Sequence, residues 1–291
     1  MDFTNGLAIR MNKPDVILEE PLPGVPGAFV REVPSLPEHL AGGRTIGPYT
    51  EVAPGALLFG VPGLGRFLIR DGTMIDIWIV PGADRSAVKY ILLGSALGTL
   101  VHQRGELALQ AVTMISPSGA GIAICGSSAI GKSTLAAALS RRRWLLLGDG
   151  ITRISASSSA GIAWPGEARL QLWRDACEAL DVNIEELDAV RENFQKYFVP
   201  VPAVTAPAPL EFAVRLQAGA TCALIELSPT QRPELFFQSA FRPRQIAPLG
   251  QREAHARSVH LVSRSCRAIV LNGARQNAVS ELADVLSGAV T

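Results

Sequence analysis

Lysine is scarce in this sequence, whose 291 residues include four lysines against 23 arginines. Clustered positive charge is missing too, because the net charge is +1 and the longest basic tract is the arginine triplet 141–143. The triplet closes a predicted helix, where cations suit the helix dipole. The charge pattern therefore gives no reason to expect nucleic acid as a partner.

Cysteine and long apolar runs are equally sparse. The four cysteines stand far apart without a paired spacing, which fits a reducing compartment and excludes a cysteine metal site, and the four histidines form no recognisable ligand set. The most apolar stretch, residues 90–101, is too short to cross a bilayer, and the first residues lack a signal-peptide pattern. We expect a soluble, cytoplasmic protein without a membrane partner.

The sequence does contain a complete phosphate-binding motif, and one of its few lysines lies in it. The pattern G-x-x-x-x-G-K-[ST] is formed by Gly126, Ser127, Ser128, Ala129, Ile130, Gly131, Lys132, Ser133 and Thr134. Residues 120–125 before it are typical of a short buried strand, and residues 133–139 after it are typical of a helix. This strand–loop–helix order predicts a site for a nucleoside triphosphate.

The chemistry of such a loop follows from its residue types. Gly126 and Gly131 allow backbone torsions that turn successive N–H groups into one concavity at a helix N-terminus, which favours phosphate. Lys132 is expected to reach the β- and γ-phosphates, and the Ser133 hydroxyl to join a magnesium shell. The alternative is a glycine turn that merely caps a helix.

Asp149 is the second informative residue, because it ends the apolar run 144–149 one strand–helix–strand unit after the loop. A carboxylate there can hold magnesium or accept the proton of an attacking hydroxyl. The alternative is an ordinary turn aspartate. The chain has no N-K-x-D, as a GTPase would have, and no L-S-G-G-Q, as a transporter ATPase would have. Among phosphate-loop proteins, the small kinases remain as the class that fits.

The pattern along the chain predicts two domains. Residues 1–48 are rich in proline and glycine and look irregular, with an early strand at most. Two strands joined at Asp71-Gly72 predict a hairpin, and residues 85–104 have helical spacing. We expect an α/β protein in which a smaller β-rich domain, residues 1–104, precedes a nucleotide-binding domain, residues 105–291.

Weaker patterns predict the remaining elements of the second domain. Residues 107–114 and 121–125 should form a hairpin that leads into the loop. Further expectations are a flexible turn at 155–159, strands within 197–216 and 223–227, a strand at 267–271 and a buried strand at 235–237. Helices are expected at 170–180, 184–190, 254–262 and 280–286.

Four segments together resemble HPr-kinase-like proteins: residues 91–114, the phosphate loop, Asp149 and residues 165–173. The resemblance extends over roughly residues 55–290. Within that family the two-domain layout is most similar to the kinases of lasso-peptide gene clusters, which phosphorylate the C-terminal serine of a precursor peptide. The resemblance implies a P-loop kinase domain, ATP and Mg²⁺ as cofactors, a serine-containing peptide or protein substrate, and a possible homo-oligomer.

Carried over by residue, the resemblance assigns ATP to residues 126–134, with Lys132 on the phosphates and Ser133 on magnesium. Asp149 matches the first of two adjacent aspartates in the family, the general base toward the substrate serine, and is a second metal contact. Lys196 and Arg169 lie in matching segments and could neutralise charge in the transition state. Solvated surface cations are the alternative for both.

This chain departs from the family at two positions. The second aspartate is Gly150, which removes a magnesium contact, and the family's usual histidine before the loop is Gln110. A glutamine can hydrogen-bond to Asp149 but cannot titrate. Both changes argue against phosphate-driven reversal of the reaction.

Three hypotheses follow from these observations. The first is an ATP-dependent serine kinase that uses Asp149, Lys132 and Gln110 in catalysis. The second is a catalytically weakened nucleotide-binding module with a regulatory role. The third is a small-molecule kinase, for which the proline-rich N-terminal domain would be unexplained.

Overall fold

The computed structural model describes residues 20–21, 25–157, 160–191 and 194–290. It is a mixed α/β structure with several sheets. The chain divides into two compact units: the first contains the residues up to Glu106 together with Arg242–His255, and the second contains Leu107–Phe241 and the chain from Ala256 onward. The division predicted at residue 104 remains a prediction, and it did not anticipate that Arg242–His255 would belong to the first unit.

The first unit contains a seven-stranded sheet in the order β1-β2-β7-β6-β5-β4-β3. Strands β2 and β7 pair in parallel, and the other neighbours pair antiparallel. The strands are β1 (Glu20–Pro21), β2 (Phe29–Glu32), β3 (Arg44–Gly47), β4 (Thr50–Ala53), β5 (Ala56–Val61), β6 (Gly65–Arg70) and β7 (Met74–Ile79).

A helical segment packs against the apolar residues of this sheet. It consists of α1 (Arg85–Ile91), a π-helical turn (Leu92–Ala96) and α2 (Leu97–Gln103). The helical spacing predicted for residues 85–104 is confirmed: Val88, Leu92, Ala96 and Leu100 are all buried and share one core with Phe67 and Ile69 of β6.

The second unit has a seven-stranded sheet in the order β11-β10-β8-β9-β14-β16-β15, and β11 also pairs with β14. Strands β9, β14 and β16 are parallel, and the other pairs are antiparallel. The strands are β8 (Leu107–Ile115), β9 (Gly121–Cys125), β10 (Leu145–Ala156), β11 (Gly161–Ala163), β14 (Ala208–Ala218), β15 (Ala223–Glu226) and β16 (Arg267–Ala274). A separate two-stranded ribbon pairs β12 (Arg169–Trp173) with β13 (Lys196–Pro200).

Helices cover both faces of this sheet. They are α3 (Lys132–Ser140), α4 (Arg174–Ala179), α5 (Arg232–Ser239), α6 (Arg252–Ser265) and α7 (Val279–Val290). Helices α3 and α7 share one apolar cluster with the buried side of the ribbon. Helix α5 and the end of α6 belong to a second cluster on the opposite face. The strand that leads into the phosphate-binding motif therefore runs between two cores.

Several local predictions are confirmed. The hairpin at Asp71-Gly72 is β6–β7, and the hairpin before the motif is β8–β9. Helix α3, the strand-rich stretch after residue 196 and the closing elements α6, β16 and α7 are also present. The structure describes no helix that is both long and apolar enough to cross a membrane.

Several local predictions are wrong in whole or in part. The strand that carries Asp149 does not end there, because β10 continues to Ala156 and includes the first part of the expected turn; residues 158–159 lie outside the described residues. Of the helix expected at 170–180, only Arg174–Ala179 is helical, whereas residues 169–173 form β12, since buried Leu170 and Leu172 alternate with more exposed neighbours. Residues 184–190 are not helical, and residues 235–237 lie in helix α5. Of the expected irregular start, residues 1–19 and 22–24 lie outside the described residues, and the rest includes β2 and β3.

Candidate functional site

The motif forms a loop between the end of β9 and the start of α3. Its first glycine, Gly126, has φ 146°, and a Cβ there would lie 2.9 Å from the carbonyl oxygen of Leu216. Gly131, which precedes the helix, has φ 106°. Both positions therefore require glycine, the first because of a close backbone approach and both because of a torsion that L side chains rarely adopt.

The helix N-terminus at this loop is open to a ligand. The first N–H groups of a helix lack intrahelical partners. No side chain caps those of α3. Ser127, Ser128 and Ala129 are exposed, while Ile130 anchors the loop in the core. Exposed amides at a helix N-terminus suit an anion, so the residues present fit a phosphate group.

Lys132 extends back over the loop. Its Nζ donates hydrogen bonds to the carbonyl oxygens of Gly126 and Ser127, both at 2.9 Å. Burial lowers the pKa of this ammonium, and the charge of Asp149 works in the opposite direction. The side chain therefore holds a positive charge above the mouth of the loop.

Cys125, the residue before the loop, has a structural environment. Its side chain is fully buried, and burial raises the pKa of the thiol to about 11. A neutral buried thiol is neither a nucleophile nor a metal ligand. Across the described ranges, no three histidine, cysteine or acidic side chains gather as a metal site of their own.

A β-bulge determines which way Asp149 faces. Asp149 is opposite Val112 of β8, and Leu146 is opposite Met114, with a register shift between Leu146 and Gly148. Val112 and Met114 share a face because side chains alternate along a strand. The extra residue in β10 puts Leu146 and Asp149 on that same face although they are three residues apart. Since Val112, Met114 and Leu146 pack in the core with α3, the carboxylate also points toward α3.

Both oxygens of Asp149 accept hydrogen bonds. The Ser133 hydroxyl donates to Oδ1 at 3.2 Å, and the backbone N–H of Gln171 donates to Oδ2 at 2.7 Å. The carboxyl group is 8% exposed, and burial raises its pKa above the usual range. The bond from Gln171 and the charges of Lys196 and Lys132 oppose that rise. The site thus holds a buried acid in contact with the first turn of the loop helix.

Lys196 is the second lysine of this site. Its Nζ donates to Oε1 of Gln171 at 3.2 Å, so Gln171 joins the acid through its backbone and the lysine through its side chain. Burial lowers the pKa of Lys196, and the charge of Asp149 raises it. Two of the four lysines in the sequence therefore act electrostatically on one aspartate.

Arg169, the other cation predicted to act near the acid, is engaged elsewhere. Its guanidinium pairs with Glu167 at 3.1 Å and with Asp188 at 3.6 Å, and it lies 4.0 Å from the centre of the Phe198 ring. Arg169 therefore stabilises the ribbon locally, while Lys196 carries the charge next to Asp149.

The two departures from the family pattern have different structural settings. Gln110 is opposite Ile151 on the face that Asp149 shares, but its side chain is exposed, and no hydrogen bond joins it to Asp149 among the described residues. Gly150 has φ 106°, which favours glycine over aspartate. The role of Gln110 in catalysis remains a prediction.

Sequence reasoning missed two residues at this site. Gln171 contributes a backbone N–H, which any residue type supplies, so no sequence signal marks it. Arg275 follows β16 and donates from Nη2 to the carbonyl oxygen of Ala129 at 3.0 Å. Its φ of 68° belongs to a turn that the sequence pattern does not reveal.

Comparisons with known proteins do not assign the chain to a family. No protein-family model matches it, and no curated protein matches its sequence. Among solved structures, the chain is similar to the HPr(Ser) kinase/phosphatase from Coxiella burnetii, with 12% identity, a TM-score of 0.34, and coverage of 62% of this chain and 95% of that chain. A similarity of this degree does not establish a shared fold, so the function has to be inferred from the site.

Proposed function

We propose that this protein is an ATP-dependent serine kinase that transfers the γ-phosphoryl group to the hydroxyl of a peptide or protein. One observation carries the proposal: the buried acid Asp149 contacts Ser133, the hydroxyl residue that follows the lysine of a complete phosphate-binding loop, at 3.2 Å. The sequence resemblance suggests the C-terminal serine of a lasso-peptide precursor as the first acceptor to test. Association of copies of the chain is a further prediction.

Nucleotide binding is assigned to the loop and the first turn of α3. The exposed N–H groups of residues 127–129 and the uncapped helix start would hold the phosphates, and Lys132 would exchange its bonds to the loop carbonyls for phosphate oxygens. Ser133 and Asp149 would hold magnesium, because their oxygens are neighbours and Mg²⁺ accepts one or two protein oxygens beside phosphates and water. When bound, the ion neutralises charge on the β- and γ-phosphates.

In the proposed transfer, the serine oxygen forms a bond to the γ-phosphorus while the bond from that phosphorus to the β,γ-bridging oxygen breaks. ADP leaves with the bridging oxygen, and the hydroxyl proton goes to the carboxylate of Asp149. The backbone bond from Gln171 fixes the orientation of the carboxylate.

Positive charge in the site would stabilise the transferring group. Lys132 stands at the loop and Lys196 stands on the ribbon, and both are near enough to affect the pKa of Asp149. Preorganised cations at developing negative charge are a large part of phosphoryl-transfer catalysis.

Gly150 favours the alternative of a nucleotide-binding regulatory module, since it leaves one carboxylate where the family has two.

The experiment that separates the two functions incubates the protein and its Asp149→Asn variant with Mg-ATP and a serine-terminated peptide. Phosphate adducts are followed by mass spectrometry, and ATP binding is followed by calorimetry. The kinase proposal expects an adduct that the variant loses while it still binds ATP. Binding without turnover in both proteins would favour the regulatory module.

A further inference from the structure

The ribbon β12–β13, whose Gln171 donates a hydrogen bond to Asp149, presents an exposed tryptophan beside the phosphate loop. Leu170 and Leu172 of β12 are buried, which turns the alternate residues Gln171 and Trp173 to the other side. Trp173 is 42% exposed although the strand register fixes its backbone. An indole held rigidly and left half in solvent is a surface suited to contact with another molecule.

The indole of Trp173 adjoins both an aromatic ring and charged side chains, and the Nζ of Lys196 lies 5.9 Å from its ring centre. The ring of Phe194 meets Trp173 edge-on, with centroids 4.8 Å apart and planes at 65°. A cleft of about 440 Å³ adjoins it, lined by Ala129, Trp173, Arg174, Asp175, Glu178 and Gln195. The lining includes both signs of charge, so it does not favour a strongly charged ligand, and we take the aromatic surface as the selective part.

The position of Trp173 relates it to the transfer site. Gln171 donates its backbone N–H to Asp149, and Trp173 is two residues further along the same strand, roughly 7 Å away at the usual rise per residue. That distance corresponds to two residues of an extended peptide. An acceptor whose hydroxyl meets Asp149 would thus bring a neighbouring side chain over the indole.

The same position argues against stacking of the nucleobase. The base is separated from the reacting γ-phosphate by the ribose and two further phosphates, whereas Trp173 is on the strand that fixes the acid of the transfer step. We therefore assign Trp173 to the acceptor side of the reaction.

We propose that Trp173, supported by Phe194, binds an aromatic or large aliphatic side chain within two residues of the acceptor serine, and so determines which peptides are phosphorylated. This inference rests on the proposed kinase function, since it assumes a peptide acceptor at Asp149. Trp173 is a specificity-determining residue in this scheme, and it takes no part in the transfer of the phosphoryl group.

The test is an array of ten-residue peptides, each with one serine and with Phe, Leu, Ala, Asp or Lys at each neighbouring position. The array is probed with the full chain loaded with magnesium and a non-hydrolysable ATP analogue, so that binding is read without turnover. Trp173→Ala is compared with wild type and with Phe237→Ala. Phe237 is a matched control because it is 41% exposed and lies on α5, on the opposite face of the sheet.

Wild type and Phe237→Ala should bind peptides with Phe or Leu near the serine about tenfold more strongly than their Ala counterparts, the size expected for one aromatic contact. Trp173→Ala should lose that preference, Trp173→Phe should retain part of it, and the affinity for a fluorescent ATP analogue should stay unchanged. A wild type without apolar preference, or a Trp173→Ala variant that keeps it or that loses nucleotide affinity, would overturn the proposal. Selective peptide binding without phosphate transfer would instead refute the kinase function and leave the peptide site standing.

Discussion

The hydroxyl of Ser133 donates a hydrogen bond to the carboxylate of Asp149, at 3.2 Å, and so joins the first turn of helix α3 to strand β10. The two residues belong to different structural elements. Their proposed roles at one magnesium site require the two oxygens to lie close together. Their contact depends on a glycine loop that begins the helix at Lys132 and on a bulge that turns Asp149 toward it.

Replacement of Lys132 by alanine should abolish stabilisation of the protein by Mg-ATP. A ligand at a hundred times its Kd stabilises the folded state by about 2.7 kcal/mol, which appears as a rise in the unfolding temperature. The variant loses the charge that would meet the phosphates, while Lys89→Ala, a change in helix α1, should preserve the full rise. Equal thermal shifts in both variants would show that the loop does not bind the nucleotide through this lysine.

Replacement of Ser133 should change how ATP turnover depends on the magnesium concentration, and the change should show the role of the hydroxyl. Ser133→Ala removes the donor to Asp149 and a predicted metal ligand, so the magnesium concentration for half-maximal ATP turnover should rise several-fold. Ser133→Thr keeps a hydroxyl and should stay near wild type. The measurement is a magnesium titration at saturating ATP, and it would count against the assignment if the alanine variant titrated like the threonine variant.

Lys196 and Arg169 form a matched pair of cations on the same ribbon. Lys196→Gln should reduce kcat on the order of 100-fold, as expected when one group that stabilises transition-state charge is removed, with little change in ATP affinity. Arg169→Gln should affect kcat far less, because Arg169 pairs with Glu167 and Asp188 and not with Asp149. A similar loss in both variants would show that the ribbon matters only as a structural support.

The sequence predicts the loop and its helix well because both depend on local rules: glycine at two torsions, an apolar strand before them and helix formers after them. It identifies Asp149 by its distance from the loop along the chain. It cannot give the direction of the carboxylate, because that direction depends on the bulge between Leu146 and Gly148, where β10 contains one residue more than β8.

The ribbon shows a different cause of error. Residues 169–172 alternate between polar and apolar side chains, which indicates a strand. The helical pattern of the next residues, which form α4, led to a predicted helix that began too early, at residue 170. That error concealed the exposed face with Gln171 and Trp173. Contacts made by backbone atoms, such as the bond from Gln171 to Asp149, have no counterpart in residue type and can be found only in the structure.

Introducing the second aspartate that HPr-kinase-like proteins have should damage this protein. The φ of Gly150 is 106°, so Gly150→Asp would hold a side chain in a disfavoured torsion at a cost of about 1–3 kcal/mol. The free energy of unfolding should fall by that amount, and transfer should not improve. Gly288→Ala is the control, since Gly288 lies in helix α7 with open space around its Cβ position, and alanine favours a helix. A Gly150→Asp protein as stable as wild type and more active would show that the backbone adapts and that the missing acid limits catalysis.

Burial of His255 in the first unit should make stability depend on pH. His255 is buried, its ring lies edge-on to that of the buried His102 with centroids 5.9 Å apart, and burial lowers the pKa of His255 below its usual 6.5. The folded state therefore favours the neutral imidazole, whereas the unfolded chain takes up a proton as the pH falls through about 6.5. The resulting stability is present above that pH and is lost as the pH falls below it.

The check is the thermal unfolding midpoint, followed by circular dichroism between pH 7.5 and pH 5.5. Wild type should unfold at a lower temperature as the pH falls, and His255→Gln, which cannot titrate at this position, should show a shallower decline. His260→Gln, an exposed histidine on the same helix, should decline like wild type. If His255→Gln and His260→Gln gave parallel curves, the acid sensitivity would arise from groups other than His255, and the burial of its ring would have no thermodynamic consequence in this pH range.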